Sequence, residues 1–250
     1  MTLPTTAPHW SQLLEAWDQQ QSGYLLRREE RFAVVLDVLT DPLIRALPGD
    51  RPTRILDLGC GPGSFAARIL DRLPQAHVVA LDMDPVLLAV GAGALGDADG
   101  RLTWVDADLR NPGWDSLLDA GSFDAVVSST ALQWLSPSQL ASVYHRVARL
   151  TFKGGCFFNA DNMAYDTGQL TFNQLAASAV AAHSSAAFSN AETSDWDAWW
   201  DTVEDVRELV VSGSGDARSV PTTRMITFLR RPSPANGCTS PRCSRPASPR

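Results

Sequence analysis

The chain has 250 residues, 44% of them hydrophobic, and carries 21 basic against 28 acidic side chains. That length and apolar fraction exclude wholesale disorder, and no run reaches the ~18–20 apolar residues a membrane helix needs. A formal charge of −7 argues against a dedicated DNA or RNA binder, whose affinity rests on Lys and Arg neutralising phosphates. In chain order, Trp10 to Leu39 reads as one or two amphipathic helices. From Arg51 to Asp161, short apolar runs then alternate with longer helical segments. The expected strands are Arg54–Leu58, His77–Leu81, Leu102–Asp106, Phe123–Ser128 and Cys156–Asn159. The expected helices are Ser64–Leu73, Pro85–Leu95, Asp115–Leu118 and Ser138–Leu150, with Pro137 in the first turn of the last. Two further helices are expected, Gln169–Phe188 and Trp196–Val211.

Alternating elements of these lengths imply parallel strands joined by right-handed crossovers. The expected fold class is α/β: a doubly wound, Rossmann-like, mostly parallel sheet with N-terminal helices and a helical insert after the fifth strand. The expected division is a helical cap over 1–50, a core over 51–162, a helical substrate-side segment over 163–230 and a disordered tail over 231–250. That tail holds five prolines, four arginines and four serines but no acid and no large apolar residue, so it cannot offset the entropy of ordering it. Without its four arginines the rest of the chain has 17 basic against 28 acidic groups. The opening Met-Thr-Leu-Pro-Thr-Thr has no basic region ahead of an apolar run, so the expected location is the cytoplasm. Cys60, Cys156, Cys238 and Cys243 are too scattered for a disulfide framework. Neither they nor His9, His77, His145 and His183 make a metal-ligand spacing, and no metal is expected.

The informative segment is Ile55-Leu-Asp-Leu-Gly-Cys-Gly-Pro-Gly-Ser64, where a strand runs into Gly59, Gly61 and Gly63 and a helix follows directly. Glycines let the backbone turn sharply and approach a ligand at the carboxyl edge of such a sheet. A nicotinamide-binding G-x-G-x-x-G would place its third glycine at position 64, which is Ser64, and no G-K-[ST] is present. Asp57 lies inside the apolar strand, where a buried carboxylate is costly unless a cation or several donors satisfy it. Asp82 ends the second strand, where an acid can accept both hydroxyls of a ribose. Asp108 follows the third, in reach of an adenine amino group. Asp84 and Asp106 read as a helix cap or a solvated strand end.

Taken in order, Leu-Asp-Leu-Gly-Cys-Gly-Pro-Gly, Ala-Leu-Asp82-Met-Asp-Pro, Asp-Ala-Asp108-Leu, Phe123 to Trp134 and Lys153-Gly-Gly-Cys-Phe-Phe resemble the class I S-adenosylmethionine-dependent methyltransferases. Ser128 to Trp134 and Asn159-Ala-Asp-Asn162 resemble, within that class, the trans-aconitate and malonyl-carrier-protein branch. The resemblance implies S-adenosylmethionine as cofactor. It places Gly59, Cys60, Gly61 and Gly63 around the methionine portion and Asp57 near the ammonium. Asp82 would hold the ribose, Met83 would pack on the adenine, and Asp108 with the Leu109 amide would read the adenine edge. Ser128 and Ala131 would line the sulfonium side. An N-terminal Tyr and Arg would close over the cofactor, for which Tyr24 and Arg28 or Arg31 are candidates. The implied activity is methyl transfer to a small-molecule acceptor: a carboxylate, a hydroxyl or a natural-product scaffold. The alternative is a non-methylating binder or a cyclase on the same fold.

No His-Asp or Lys-Asp pair stands out as a catalytic base, which leaves His145, His183 and Tyr165 as candidates. Trp196, Trp199 and Trp200 share one helical face, either docking the helix on the core or walling an acceptor pocket with Tyr165. The resemblance stops near the C-terminus. Met225–Leu229 reads as the helix before a terminal hairpin, and no strand follows it. With one lysine against 20 arginines, GC-rich coding read in a shifted frame would yield such a tail. A sheet without its terminal hairpin would leave Phe157 and Phe158 short of partners and the last strand open to self-association.

Overall fold

The computed structural model describes residues 9–41, 51–162, 165–166, 168–189 and 193–204. Five parallel strands form one sheet in the order β3-β2-β1-β4-β5, with β1 (Arg54–Leu58), β2 (His77–Asp82), β3 (Leu102–Asp106), β4 (Phe123–Ser129) and β5 (Thr151–Ala160). The strand order reverses between β1 and β4, so the chain leaves the sheet in opposite directions there and opens a crevice at the carboxyl ends. Three of the strands carry apolar side chains on both faces, as a sheet covered by helices on both sides requires.

One face buries Ile55, Val78, Ala80, Ala125 and Val127 under α2 (Arg28–Leu39) and α3 (Ser64–Arg72). The other buries Leu56, Leu58, Leu81, Phe123 and Val126 under α5 (Pro137–Leu150). Strand alternation separates the two sets. Asp84 caps α4 (Pro85–Leu95) by accepting from the Val86 and Leu87 amides, so of the two roles left open for it, cap or strand end, it fills the first. Ser136 and Gln139 form a capping box that starts α5 with Pro137 in its first turn. At the amino edge of the sheet, fully buried Asp124 takes the Arg51 guanidinium and the Arg54 amide, the latter at 2.8 Å.

The N-terminal stretch resolves into two helices, α1 (Trp10–Tyr24) and α2, broken at Arg27, whose φ of 59° leaves the right-handed helix. Three expectations are corrected. Asp115–Leu118 forms successive turns rather than a helix: its amides bond three residues back, Gly113 sits at φ 89°, and four residues cannot nucleate. The fifth strand begins at Thr151, not Cys156, because Thr151 pairs with Phe123 and an irregularity through Gly154 and Gly155 restores register at Cys156. Phe157 and Phe158 do have partners: Phe157 meets Tyr144 edge-on at 5.3 Å, and Phe158 packs on the core beneath α2.

Among the described residues β5 is the outer strand. The expected terminal helix Met225–Leu229, the tail 231–250 and the end of Trp196–Val211 lie outside the described residues. Beyond β5, α6 (Leu170–Ala187) and α7 (Trp196–Thr202) return to α1. No helix among the described residues is long and apolar enough to cross a membrane.

Candidate cofactor and acceptor site

The loop after β1 is shaped by what stands beside it. Gly59 has φ 67°, and a Cβ there would lie 2.3 Å from the Ala131 Cβ, so the turn following β4 presses directly on the loop. Gly63 has φ 85° and would meet the Trp104 ring at 2.6 Å. Both positions combine a left-handed backbone with no room for a side chain. The Gly61 amide donates to Asp82 at 2.8 Å, tying the loop to the end of β2. Trp17 of α1 stands against Gly61, 3.7 Å from where its Cβ would be. Cys60 is buried, and burial first, then Asp82 and Asp57, pushes its thiol well above the ordinary range.

Two buried polar atoms here have no partner among the described residues: Asp57 Oδ2 and Ser64 Oγ. Asp57 is 1% exposed. Burial, then the neighbouring Asp82 charge, pushes its carboxyl up to about 7, against one backbone bond from Ala66. A carboxylate in this position gains from a cationic donor. Asp82 is likewise pushed up by burial, while the amides of Asp84, Gly61 and Met83 oppose the shift. Those amides leave lone pairs on both oxygens free for hydroxyl donors. Asp108 is gripped by the Arg110 side chain at 2.7 Å and by its amide at 2.9 Å. Burial would raise the Asp108 carboxyl, but the Arg110 bonds outweigh it and leave it below its ordinary value.

These residues fit S-adenosylmethionine: an unpaired acid for an ammonium, a glycine cradle, and an acid with spare acceptors at the next strand. Asp57, Gly59, Gly61, Gly63, Asp82 and Ala131 come together, with Met83 beside Asp82 and the Asp108–Leu109 turn after the next strand. Ser128 has another task. It is fully buried and donates to the Leu58 carbonyl at 2.9 Å, holding the end of β1 where the glycine loop departs. Arg28 is buried and spent on Asp18 at 2.9 Å and Glu29 at 3.0 Å, with its guanidinium over Phe32. The Tyr24 hydroxyl accepts from the Trp196 amide at 3.2 Å, and its ring packs on Phe188.

The candidate bases do not converge on this loop. His145 is exposed on the solvent side of α5. His183 Nε2 lies 2.7 Å from the Ser22 carbonyl, which can only accept, so the ring donates in a bond that joins α6 to α1. Tyr165 is exposed and stacks on Phe172. The tryptophan triplet docks α7 on α1: Trp199 is fully buried, donates to the Leu13 carbonyl at 3.1 Å and meets Trp17 edge-on at 4.8 Å. Three residues stand in the crevice without a motif to announce them. Ser64 marks a departure from the nicotinamide pattern, and its buried hydroxyl is a polar group of the loop. Trp17 belongs to a buried stripe with Gln20 and Gly23. Asp161, after β5, accepts from the Gln133 and Asn162 amides at 2.8 Å each.

Residues 55–155 match the family model described as a methyltransferase domain. The chain is 38% identical over 122 residues to a trans-aconitate 2-methyltransferase of Streptomyces avermitilis, covering 48% of this chain and 42% of that protein. It is 31% identical over 189 residues to the trans-aconitate 2-methyltransferase of Methylobacterium nodulans, covering 73% of this chain and 66% of that protein. The chain thus spans less than half of the first relative and just under two thirds of the second. A solved S-adenosylmethionine dependent methyltransferase from Mesorhizobium loti is 32% identical, with TM-score 0.37 over 47% of this chain and 51% of that one. Residues 55–155 thus match a methyltransferase domain, and the strand order and glycine-loop geometry agree with that match.

Proposed function

We propose that the chain transfers a methyl group from S-adenosylmethionine to a small acidic acceptor, of the kind named by its trans-aconitate 2-methyltransferase relatives. The observation that carries the cofactor reading is the buried, unpaired Asp57 oxygen beside a glycine loop with no room for a side chain at Gly59 or Gly63. S-adenosylmethionine, when bound, supplies a methyl group already activated by its sulfonium charge. Asp57 would hold the ammonium, Asp82 would accept the ribose hydroxyls, and Asp108, fixed by Arg110, would accept from the adenine amino group with the Leu109 amide beside it. What remains for the protein is alignment, and orientation of reacting groups contributes up to ~7–11 kcal/mol to such reactions. A carboxylate acceptor is already ionised at neutral pH and needs no general base, which agrees with candidate bases that lie away from the loop.

The helices after β5 clamp the end of α1 rather than the glycine loop. Gln20 donates to the Asp195 carbonyl at 3.1 Å, and Ser184 to the Gly23 carbonyl at 3.0 Å. We assign α2, which packs on β5, to the acceptor side, while α1 and α7 pack on α4 over the cofactor side. Transfer of label from methyl-labelled S-adenosylmethionine to a panel of small di- and tricarboxylic acids, trans-aconitate among them, tests the reading. A labelled, base-labile ester is the expected product. Cofactor binding without label in any acid would overturn the acidic-acceptor reading.

A further inference from the structure

Arg31 lies on the first turn of α2, and its guanidinium is divided between two fates. Nη2 donates to the Leu26 carbonyl at 2.8 Å, while Nη1 is buried and has no partner among the described residues. A buried cationic donor without an acceptor is costly, and a guanidinium does not escape the cost by losing its proton. Asp161 is the acid within electrostatic reach, yet it makes no direct ion pair with Arg31, and its oxygens accept instead from the Gln133 and Asn162 amides. A second anion therefore has a donor waiting for it.

Where that anion would sit follows from the sheet. Asp161 continues β5, which stands two strands from β1 in the order β3-β2-β1-β4-β5. At the usual ~4.8 Å strand spacing this is roughly 10 Å from the glycine loop. It is also on the far side of β1 from Asp82 and β2. The cofactor's ribose end lies toward β2, so an anion at Arg31 lies toward the acceptor. Arg28, three residues earlier on the same helix, is already paired and cannot serve.

Resting on the acidic-acceptor reading above, we propose that Arg31 is the specificity-determining residue that binds a carboxylate of the acceptor through Nη1. A guanidinium takes a carboxylate through paired N–H groups, which an ammonium cannot reproduce.

The test is titration of trans-aconitate into protein saturated with S-adenosylhomocysteine, followed by calorimetry, for wild type, Arg31→Gln and Arg31→Lys. Arg31→Gln is expected to weaken the acid at least 30-fold, with S-adenosylhomocysteine affinity within twofold and a normal melting curve. Arg31→Lys, which keeps charge but not the fork, is expected between the two. In turnover, KM for the acid should rise while kcat stays within threefold. Wild-type acid affinity in Arg31→Gln overturns the role of Arg31 alone. A loss that falls on S-adenosylhomocysteine instead overturns it by returning Arg31 to the cofactor. Wild-type protein that binds the cofactor product but no acid overturns the acidic-acceptor reading and this one together.

Discussion

The two ends of the crevice are built differently. Toward β1 and β2 the site is made of backbone and of acids anchored by backbone amides: Gly61 to Asp82, Asp84 to Asp82, Ala131 against Gly59. Toward β5 it is made of side chains delivered by helices distant in sequence: Arg31 from α2 and, at the end of α1, Tyr24 with its clamp from α6. The first end can be written into a short contiguous motif. The second depends on how helices outside the methyltransferase match settle on the sheet, and so it is the end free to vary with the acceptor.

The sharpest way to break the contrast is at Gly59. Gly59→Ala should cost about 2–5 kcal/mol, from the left-handed backbone and from overpacking against Ala131, and should abolish S-adenosylhomocysteine binding by calorimetry. Gly121→Ala is the control: it also has a positive φ of 65° but nothing within 4 Å, so binding should persist. Equal effects of the two would show that the loop contact is incidental. Next in size, Asp82→Ala should weaken cofactor binding by about 1.5–3 kcal/mol with the fold intact, the range for hydrogen bonds to a charged group. An unchanged dissociation constant with a normal melting curve would remove Asp82 from the site.

A third expectation concerns pH. The Asp57 carboxyl is held at about 7 by burial, far above its unfolded value. Between about 4 and 7 the folded state therefore binds more protons than the unfolded one, and this residue's contribution to stability falls as pH rises. Cofactor affinity should run the other way. An ammonium ligand prefers the ionised acid, so binding should weaken by up to about tenfold per unit as pH drops below 7. Asp57→Asn should flatten both trends; calorimetry and melting from pH 5.5 to 8 would show it. The smallest effect belongs to the other end. Ser184→Ala removes one neutral bond between α6 and α1 and should cost about 1 kcal/mol in denaturant unfolding, leaving S-adenosylhomocysteine affinity unchanged. A change in cofactor affinity would mean the two ends are coupled.

Alternation of short apolar runs with helical segments was enough to read five parallel strands, and Asp84 and Pro137 announced the helices they begin. Local chemistry sufficed because a cap acts on its own turn and a glycine loop on its own backbone. The same local reading took the turns at Asp115–Leu118 for a helix, where the helical pattern was too short to propagate beyond single turns. It also started β5 five residues late, because pairing with Phe123 carries the strand through two glycines. Among the candidate site residues, Asp57 stood out as an acid inside an apolar strand, and the glycines and Asp82 by their position at strand ends. Which of Arg28 and Arg31 keeps a free donor was not. Both lie on the same helix, three residues apart. Only the arrival of Asp18 from α1 and Arg68 from α3 around Glu29 spends the first. Sequence determines what a segment can do with its own backbone; the burial and pairing of a charge depend on neighbours that only tertiary packing brings.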